Sequence, residues 1–515
     1  MSFLKKETTP PVSAAPAGGP DVGSAADVEA VMKKYDRESN TRYWEGIPKL
    51  VIQILMAAFA AYSIIDTVFL SVLPQRRLPI FMGMILLIGF LTFPAKKGDG
   101  RVNHIPWYDI LIMVLGSGAY FFYAINAEKV IQMSARVMQN DLYMIIGLIG
   151  ILALVELCRR CVGVPILCVA GVLLVYTFFN LMGTPNVEQL KMTLYQVIRT
   201  MFYTTNGIFG GPVNVCAKFI VVFIIFGAFL ERTGIASFFI SLANAVAGAA
   251  PGGPAKVAVI SSALCGMVSG SSVGNTVTTG SVTIPMMKKT GYKGEFAGAV
   301  EAAASTGGQI MPPIMGAAAF LMAEFTGEAY GTIAMRAILP AVLISLDFTS
   351  RFIWKPEAGP QGHCPDQLPR LSKLVRRIYL LAPLVLLVVL VSTNTRTMAY
   401  SAALAIVATI VVSIPDLILD TRPGGVRAGE NPVKNLFLMI FNSLEGGARG
   451  SVTVAVACGV AGIISGCITV TGLASKLLSA IVNLSGGHMM IALVLTMLCC
   501  IVLGMGVPTT ANYCI

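Results

Sequence analysis

The sequence predicts an all-α, polytopic membrane protein with two structural repeats, re-entrant helical hairpins and discontinuous helices. Of its 515 residues, 55% are hydrophobic and only 12% are charged, whereas soluble proteins carry roughly 25% charged residues. Stretches of about 20 residues lack charge altogether, as membrane-spanning helices require. Later stretches are interrupted by Gly, Ser, Thr and Pro, which indicates broken helices.

The charge distribution favours a lipid bilayer as the surrounding medium and excludes a nucleic-acid partner. The formal net charge is +11, but the basic residues form pairs between apolar segments, such as Lys96-Lys97 and Arg159-Arg160. Juxtamembrane charge is distributed in this way. The sequence has no Walker A motif and only three His, so we expect neither an ATP-driven pump, nor an enzyme, nor a bound cofactor.

Residues 1–42 are predicted to be a disordered cytoplasmic tail. They are polar, rich in Ala, Pro, Gly and Ser, and lack the apolar region of a secretory signal. Basic residues such as Lys5, Lys33 and Arg42 place this N-terminus on the cytoplasmic side.

The first third of the chain contains ordinary spans joined by charged connectors. The connector at 128–141 carries Lys129, Arg136 and Asp141 among apolar residues and is predicted to be interfacial. The pattern of apolar segments changes near residue 160, where we place a domain boundary. The predicted spans before the change and just after it are 46–73, 78–94, 107–125, 142–158 and 163–183.

Beyond residue 185 the apolar stretches are shorter. Amphipathic pieces at 187–203 and 435–446 are too polar to span and are predicted to lie along the membrane surface. The apolar stretches are 213–231, 236–249, 254–268, 296–304, 314–325, 330–347, 378–392, 397–415, 449–468, 473–484 and 488–503.

An internal repeat links two parts of this region. Thr-Gly-Ile-Ala-Ser at 233–237 recurs as Thr-Gly-Leu-Ala-Ser at 471–475, and Gly252-Gly253 recurs as Gly486-Gly487. Further on, the segment 269–276 aligns without gaps with 503–510. Transporters built from two repeats place their binding sites at broken helices where the repeats meet. From the residues alone, the repeats could be inverted or parallel.

Three interrupted segments are therefore the candidate binding elements. At 267–276, small and hydroxyl residues lie between apolar arms at 254–268 and 277–286, as in a re-entrant hairpin. Backbone carbonyls freed at such a break suit Na⁺, and the N–H groups of the second arm favour an anion. The alternative interpretation is close helix packing through small residues. The candidates at this break are Ser269, Gly270, Ser271, Ser272, Asn275 and Thr276.

The other two segments are 301–313 and 504–512. In the first, Gly307-Gly308 and the adjacent prolines are predicted to break the helix, and Glu301 is a candidate intramembrane acid. Glu301 could instead lie at an interface or tie helices together. The second is the repeat partner of the hairpin tip. The candidates here are Ser305, Thr306, Gly307, Gly308, Gln309, Pro312, Pro313, Gly504, Gly506, Pro508, Thr509, Thr510 and Asn512.

These motifs resemble a known family. Val-Ser-Gly-Ser-Ser-Val-Gly-Asn-Thr at 268–276 and Glu-Ala-Ala-Ala-Ser-Thr-Gly-Gly-Gln-Ile-Met-Pro-Pro at 301–313 are similar to the large membrane subunit of TRAP (tripartite ATP-independent periplasmic) transporters. More narrowly, they resemble the TAXI-associated type, in which small and large membrane subunits are fused. The resemblance assigns 43–160 to a small-subunit-like four-helix domain and 161–515 to a large-subunit-like transport and scaffold domain.

The resemblance implies inverted repeats and an elevator-type symporter in the bacterial inner membrane. An ion gradient, usually Na⁺ with H⁺ as an alternative, would drive uptake of a small organic acid anion, often a carboxylate. A periplasmic TAXI-type substrate-binding protein would deliver it. The Na⁺ ligands would lie at the hairpin and broken-helix tips, at Ser271, Asn275, Thr306 and Gly307.

The second repeat ends five residues after Thr510, so we expect a C-terminally truncated gene product that does not transport by itself. Two other functions are compatible with parts of the sequence. One is a stand-alone ion-coupled dicarboxylate carrier that needs no soluble partner. The other is an integral membrane enzyme acting on lipid, which would need a His/Asp cluster or an interfacial nucleophile that the sequence does not offer.

Overall fold

The computed structural model describes residues 41–70, 72–96, 102–132, 140–182, 187–354, 374–375, 377–393, 396–421, 431–486, 488–504 and 513. The regular structure in this part of the chain is helical, with a single isolated β-bridge between Tyr43 and Val102. Eight of its helices are long and apolar enough to cross a membrane. The predicted all-α, polytopic fold class is therefore confirmed.

Four helices form the N-terminal part. The first predicted spans are present, but the third continues to Gln132. Residues 128–132 of the predicted interfacial piece at 128–141 therefore belong to this membrane-spanning helix. Residues 133–139 lie outside the described part. The helices are α1 (Gly46–Phe69), α2 (Pro74–Thr92), α3 (Trp107–Gln132) and α4 (Asp141–Cys161).

A buried charge cluster fastens these helices at one end. One carboxylate oxygen of Asp109 in α3 accepts a hydrogen bond from Arg42. The other accepts a hydrogen bond from Arg160 Nη2 of α4 at 2.7 Å. All three side chains are buried. Arg42 was predicted to belong to a disordered tail. Its burial against Asp109 contradicts that prediction for this residue, because a buried carboxylate holds it in place. Residues 1–40 of the predicted tail lie outside the described residues.

Next come two helices of different character. The first is α5 (Val164–Met182), an apolar span. The second is α6 (Val187–Phe202), which coincides with the predicted amphipathic piece at 187–203. The apolar side of α6 is anchored to the N-terminal part: Phe202 packs edge-on against Tyr120 of α3 with ring centroids 5.1 Å apart.

Twelve further α-helices follow in the described residues, several of them short or next to a break. In order, they are α7 (Gly211–Arg232, with a π-helical turn at Cys216–Ile220), α8 (Ile235–Ala247), α9 (Gly253–Ser269), α10 (Ser272–Lys289), α11 (Gly294–Gly308), α12 (Ala317–Thr326), α13 (Tyr330–Trp354), α14 (Ala382–Ser392), α15 (Met398–Thr421), α16 (Pro432–Thr471), α17 (Leu473–Leu484) and α18 (Met489–Gly504).

The 40-residue helix α16 differs from the prediction, which divided it into a surface piece at 435–446 and a span at 449–468. The glycines between these pieces do not end the helix, because they serve close packing. A Cβ at Gly447 would lie 2.8 Å from Ile225 of α7. Helix α16 also packs against α1, α2, α4 and α5, so it joins the N-terminal helices to α7.

The internal repeat is visible in the backbone. Gly234 and Gly472, at matching positions of the repeat, both have left-handed φ values, +78° and +63°. Gly252 and Gly486 match in the same way, at +68° and +57°. In each repeat the first glycine separates a long helix from a short one (α7 from α8, α16 from α17), and the second precedes the next helix.

The equivalent helices of the two repeats run in opposite directions. Along α16, Gly446, Gly447 and Gly450 face Ala228, Ile225 and Ile224 of α7 in turn. The numbers rise on one helix as they fall on the other, so the two helices are antiparallel. This is the relation that inverted repeats require.

Candidate functional site

The predicted hairpin is formed by α9 and α10. Its tip is two residues long: Gly270 has a left-handed φ of +60°, and Ser271 is extended. The Ser271 hydroxyl accepts a hydrogen bond from Gly274 N at 3.2 Å and so caps α10. A glycine is needed at the tip because side chains rarely adopt this φ.

The second break lies after α11. The chain is not helical from Gln309 to Gly316, and Pro312 and Pro313 lie inside this segment. As predicted, the helix breaks at this point: Gly308 is the last residue of α11. Gly308 also allows a close approach, since a Cβ there would lie 2.9 Å from Asn275 Nδ2.

The two breaks touch each other. A Cβ on Gly316 would lie 3.2 Å from the carbonyl oxygen of Gly270, and Gly270 in turn abuts the Met315 carbonyl. The Tyr330 hydroxyl holds the broken segment from the other side, where it donates to Pro313 O at 2.9 Å. The backbones of the two interrupted helices therefore pack directly against each other near the hairpin tip.

A buried polar network runs from the hairpin to α11. Asn275 Nδ2 donates to Ser262 O at 2.7 Å and lies 2.9 Å from Ser262 Oγ. Ser262 Oγ lies 3.0 Å from Ser305 Oγ, and Ser305 donates to Glu301 Oε1 at 3.3 Å. The network joins α9, α10 and α11, and each of these four side chains is at most 1% exposed.

Glu301 ends this network as a fully buried carboxylate. Thr279 bonds Oε1, and Thr283 lies 2.5 Å from Oε2. Among the described residues, no basic side chain is bonded to it. A buried charge needs a compensating charge or a proton. Each threonine also contacts a backbone carbonyl of its own helix, at 2.8 and 3.0 Å. Each threonine hydroxyl has one hydrogen, so it can donate either to Glu301 or to the backbone carbonyl. The cluster can therefore accommodate Glu301 as a carboxylate, as a carboxylic acid, or as a ligand of a bound cation.

Several predicted site residues lie outside this network. The Thr306 side chain is exposed and donates to Ala302 O at 2.9 Å, while Thr276 donates to Ser272 O at 2.8 Å. Ser269 donates to Ser271 O at 3.4 Å. The Gln309 carbonyl accepts from Gly316 N at 2.6 Å.

The third predicted segment is almost entirely outside the described residues. Gly504 is the last residue of α18. Gly506, Pro508, Thr509, Thr510 and Asn512 are not described.

Sequence reasoning missed four members of the site: Ser262, Thr279, Thr283 and Tyr330. A signal for two of them was present. Thr279 and Thr283 are four residues apart in the return arm of the hairpin, so their hydroxyls share one helix face. Ser262 and Tyr330 carry no comparable signal, because their partners come from other helices.

The chain belongs to the family described as "Tripartite ATP-independent periplasmic transporter, DctM component", whose pattern it matches over residues 149–515. It is therefore a TRAP transporter permease component, a class of multi-pass membrane transport protein, and the predicted family is confirmed at this level. The match begins within α4.

Curated relatives match shorter stretches. The C4-dicarboxylate TRAP transporter large permease protein DctM of Pseudomonas aeruginosa is 32% identical over 124 residues, 24% of this chain and 29% of the relative. The DctM of Vibrio cholerae is 31% identical over 154 residues, covering 30% and 32%. The isethionate TRAP transporter permease protein DctMQ of Oleidesulfovibrio alaskensis is 30% identical over 147 residues, covering 28% and 23%. The matched stretches span about a quarter to a third of these relatives.

Proposed function

We propose that this protein is the membrane permease of a binding-protein-dependent secondary transporter that imports a small organic acid anion with an ion gradient. The observation that carries the proposal is the junction of the two breaks, where Gly270 abuts Met315 and Gly316 beside the buried Glu301 network. Non-helical backbone within a membrane needs protein or a wet cavity around it, and transporters use such breaks as binding sites.

Relatives guide the substrate class. Two are named for C4-dicarboxylates and one for isethionate, and all of these are small anions. The N–H groups that begin α10 at the tip favour an anion through the helix dipole. We expect a carboxylate or a similar acid, delivered by a periplasmic binding protein of the TAXI type in the bacterial inner membrane.

We assign residues 43–160 to a fused small subunit and the rest to the large subunit. One relative carries the name DctMQ, and the family match begins at residue 149, which supports this division. In the proposed mechanism the hairpin and α11 move elevator-fashion against α7 and α16. Na⁺ is the proposed coupling ion, bound near Ser271, Asn275, Thr306 and Gly307, and a proton on Glu301 is the alternative.

Reconstitution tests this function. The intact transporter is placed in proteoliposomes with its periplasmic binding protein, and uptake of labelled dicarboxylates is measured with and without a Na⁺ gradient. We expect uptake that needs both the gradient and the binding protein. Equal uptake without the binding protein would identify a stand-alone carrier, and no gradient-driven uptake of any acid would refute the proposal.

Substitutions at the tips test the ion sites. We expect Ser271→Ala, Asn275→Ala and Thr306→Ala to weaken the ion dependence of uptake with little loss of expression. Because Thr306 is exposed and bonded to its own helix, its effect should be the smallest. Unchanged ion dependence in all three variants would remove these residues from the site.

A further inference from the structure

Lys256 is a buried cation at the end of the hairpin opposite the tip. It lies in the first turn of α9, and only 8% of it is exposed. Within the part of the chain that the structure describes, no hydrogen bond or ion pair joins its side chain to another residue. Lysine is almost never buried to this extent unless it is paired, because an uncompensated buried charge is costly. A negatively charged group is therefore expected beside it.

The internal repeat shows that the helix itself does not need a lysine here. With Gly252 aligned to Gly486, the residue that matches Lys256 is Met490, in the first turn of α18. The second repeat thus begins the equivalent helix with an uncharged side chain of similar length. The positive charge belongs to the first repeat alone, which indicates a role beyond the formation of the helix.

Further positive charge lies at the same end of the hairpin. The first turn of α9 is level with the end of α10, because Ala255 and Met287 belong to one buried apolar cluster. Met287 is followed directly by Lys288 and Lys289. Both of these lysines therefore lie at the end of the hairpin where Lys256 is buried.

Two helices also begin here. Helix α9 begins at Gly253 and α11 at Gly294, and neither N-cap residue bonds the first turn through its side chain. The N-cap of α11 is Lys293, and Lys288 lies beside this terminus, since a Cβ on Gly294 would be 3.7 Å from Lys288 Cε. Helix N-termini favour anions through their N–H groups and their dipoles. Because helical side chains tilt towards the N-terminus, Lys256 is directed to the start of α9.

The surface next to this basic end is apolar. Val257 of α9 packs against Ala247 of α8, and the neighbouring Val246 is 69% exposed. On α10, Val282 is 47% exposed one turn before Met286, which packs against the same cluster as Val257. Positive charge beside an exposed apolar surface fits a phospholipid, whose phosphate and acyl chains need both. A free phosphate ion would need only the charge.

We propose that this end of the hairpin binds the phosphate group of an anionic phospholipid, with Lys256 as its buried contact. The two segments that form it, 252–256 and 288–296, contain four lysines and one acid, Glu295, so the site is positive overall. The phosphate supplies the negative charge that Lys256 otherwise lacks, and the acyl chains lie along α8 and α10. This inference goes beyond the proposed function and does not depend on it.

A lipid titration tests the site. The purified protein in a neutral detergent receives increasing phosphatidylglycerol, with zwitterionic phosphatidylcholine as the control lipid, and the unfolding midpoint is measured. A ligand that binds only the folded state stabilises it, so phosphatidylglycerol alone should raise the midpoint. Lys256→Met should raise the half-stabilising concentration at least about tenfold, as the loss of a hydrogen bond to a charged group does. Lys256→Arg should keep most of the effect, and Lys191→Met, at an exposed lysine of α6, should change it less than about twofold.

The lipid-free protein gives an independent result. If the counter-charge of Lys256 comes from the lipid, Lys256→Met removes an unpaired buried charge, and its midpoint without lipid should equal or exceed that of the wild type. A lower midpoint, or a failure to fold, would show that an acid of the chain already pairs with Lys256 and would overturn the proposal.

Inorganic phosphate and glycerol 3-phosphate distinguish the source of the phosphate group. If either stabilises the wild type as strongly as phosphatidylglycerol at the same concentration, the ligand is a soluble anion and the lipid assignment fails. An equal response to phosphatidylglycerol in the wild type and in Lys256→Met would refute the site, and so would the absence of any response in the wild type.

Discussion

Replacement of Gly266 by alanine should force α9 and α11 apart. A Cβ on Gly266 would lie 2.5 Å from the Cα of Gly308 and 2.7 Å from its carbonyl atoms. These are backbone atoms and cannot rotate away. Ordinary contact begins near 3.4 Å, so the helices must separate by about 1 Å. Overpacking of this kind costs about 1–3 kcal/mol, which corresponds to a fall of roughly 1–3 °C in the unfolding midpoint of a chain of this length.

Gly298→Ala is the matched control because it lies on α11, the helix that Gly266 contacts, and has nothing within 4 Å of its Cβ position. Helix propensity alone should then stabilise the protein by up to about 1 kcal/mol. Both midpoints can be measured in detergent with a thiol-reactive dye, since Cys265 is buried in the folded protein and becomes reactive on unfolding.

The same substitution should weaken ion binding. Ser262 lies one turn before Gly266, and its 3.0 Å contact with Ser305 crosses the same interface. A separation of about 1 Å would break that contact, so the half-saturating Na⁺ concentration should rise along with the loss of stability. Equal midpoints for Gly266→Ala and the wild type would refute the close packing of these helices and the network built on it.

Three further predictions concern other buried polar groups. Asp109→Asn should destabilise the N-terminal helices by about 3–5 kcal/mol because it removes the carboxylate paired with buried Arg42 and leaves Arg160 with Glu156 alone. Asp141→Asn, at an exposed pair 3.5 Å apart, should cost less than about 1 kcal/mol. Expression and unfolding midpoints check both. Glu301→Gln should abolish coupled uptake while the chain still folds, and retained ion coupling would exclude a role for its charge. Tyr330→Phe removes the donor to Pro313 O and should cost about 1–3 kcal/mol, with wild-type stability as the contradicting result.

Local chemistry explains why the hairpin was predictable. Gly270 and Ser271 lie between two apolar arms too short to span singly, and a left-handed glycine followed by a capping serine is a turn that neighbouring residues specify. The matched left-handed glycines of the two repeats, Gly234 and Gly472, were likewise visible as a recurring Thr-Gly pair. Signals of this kind depend on residues close in the chain.

The failures arose where contacts between distant segments decide the structure. Gly447 looks like a helix breaker, but α16 continues through it because Ile225 of α7 needs the space that a side chain would occupy. Gly308, where α11 does end, is close-packed in the same way, with Asn275 as its neighbour. A glycine's conformational freedom and its small size have opposite consequences for a helix. Only the identity of the packing partner distinguishes them, and that partner lies far away in sequence.

The position of Glu301 bears on how transport could be coupled. Glu301 is buried inside the hairpin group and bonded by hydroxyls of that same group, so a cation or proton held there would travel with the hairpin. A charge carried in this way adds its gradient to the substrate's movement. Loss of Glu301 should therefore remove coupling, and uptake in Glu301→Gln should fail under every ion gradient.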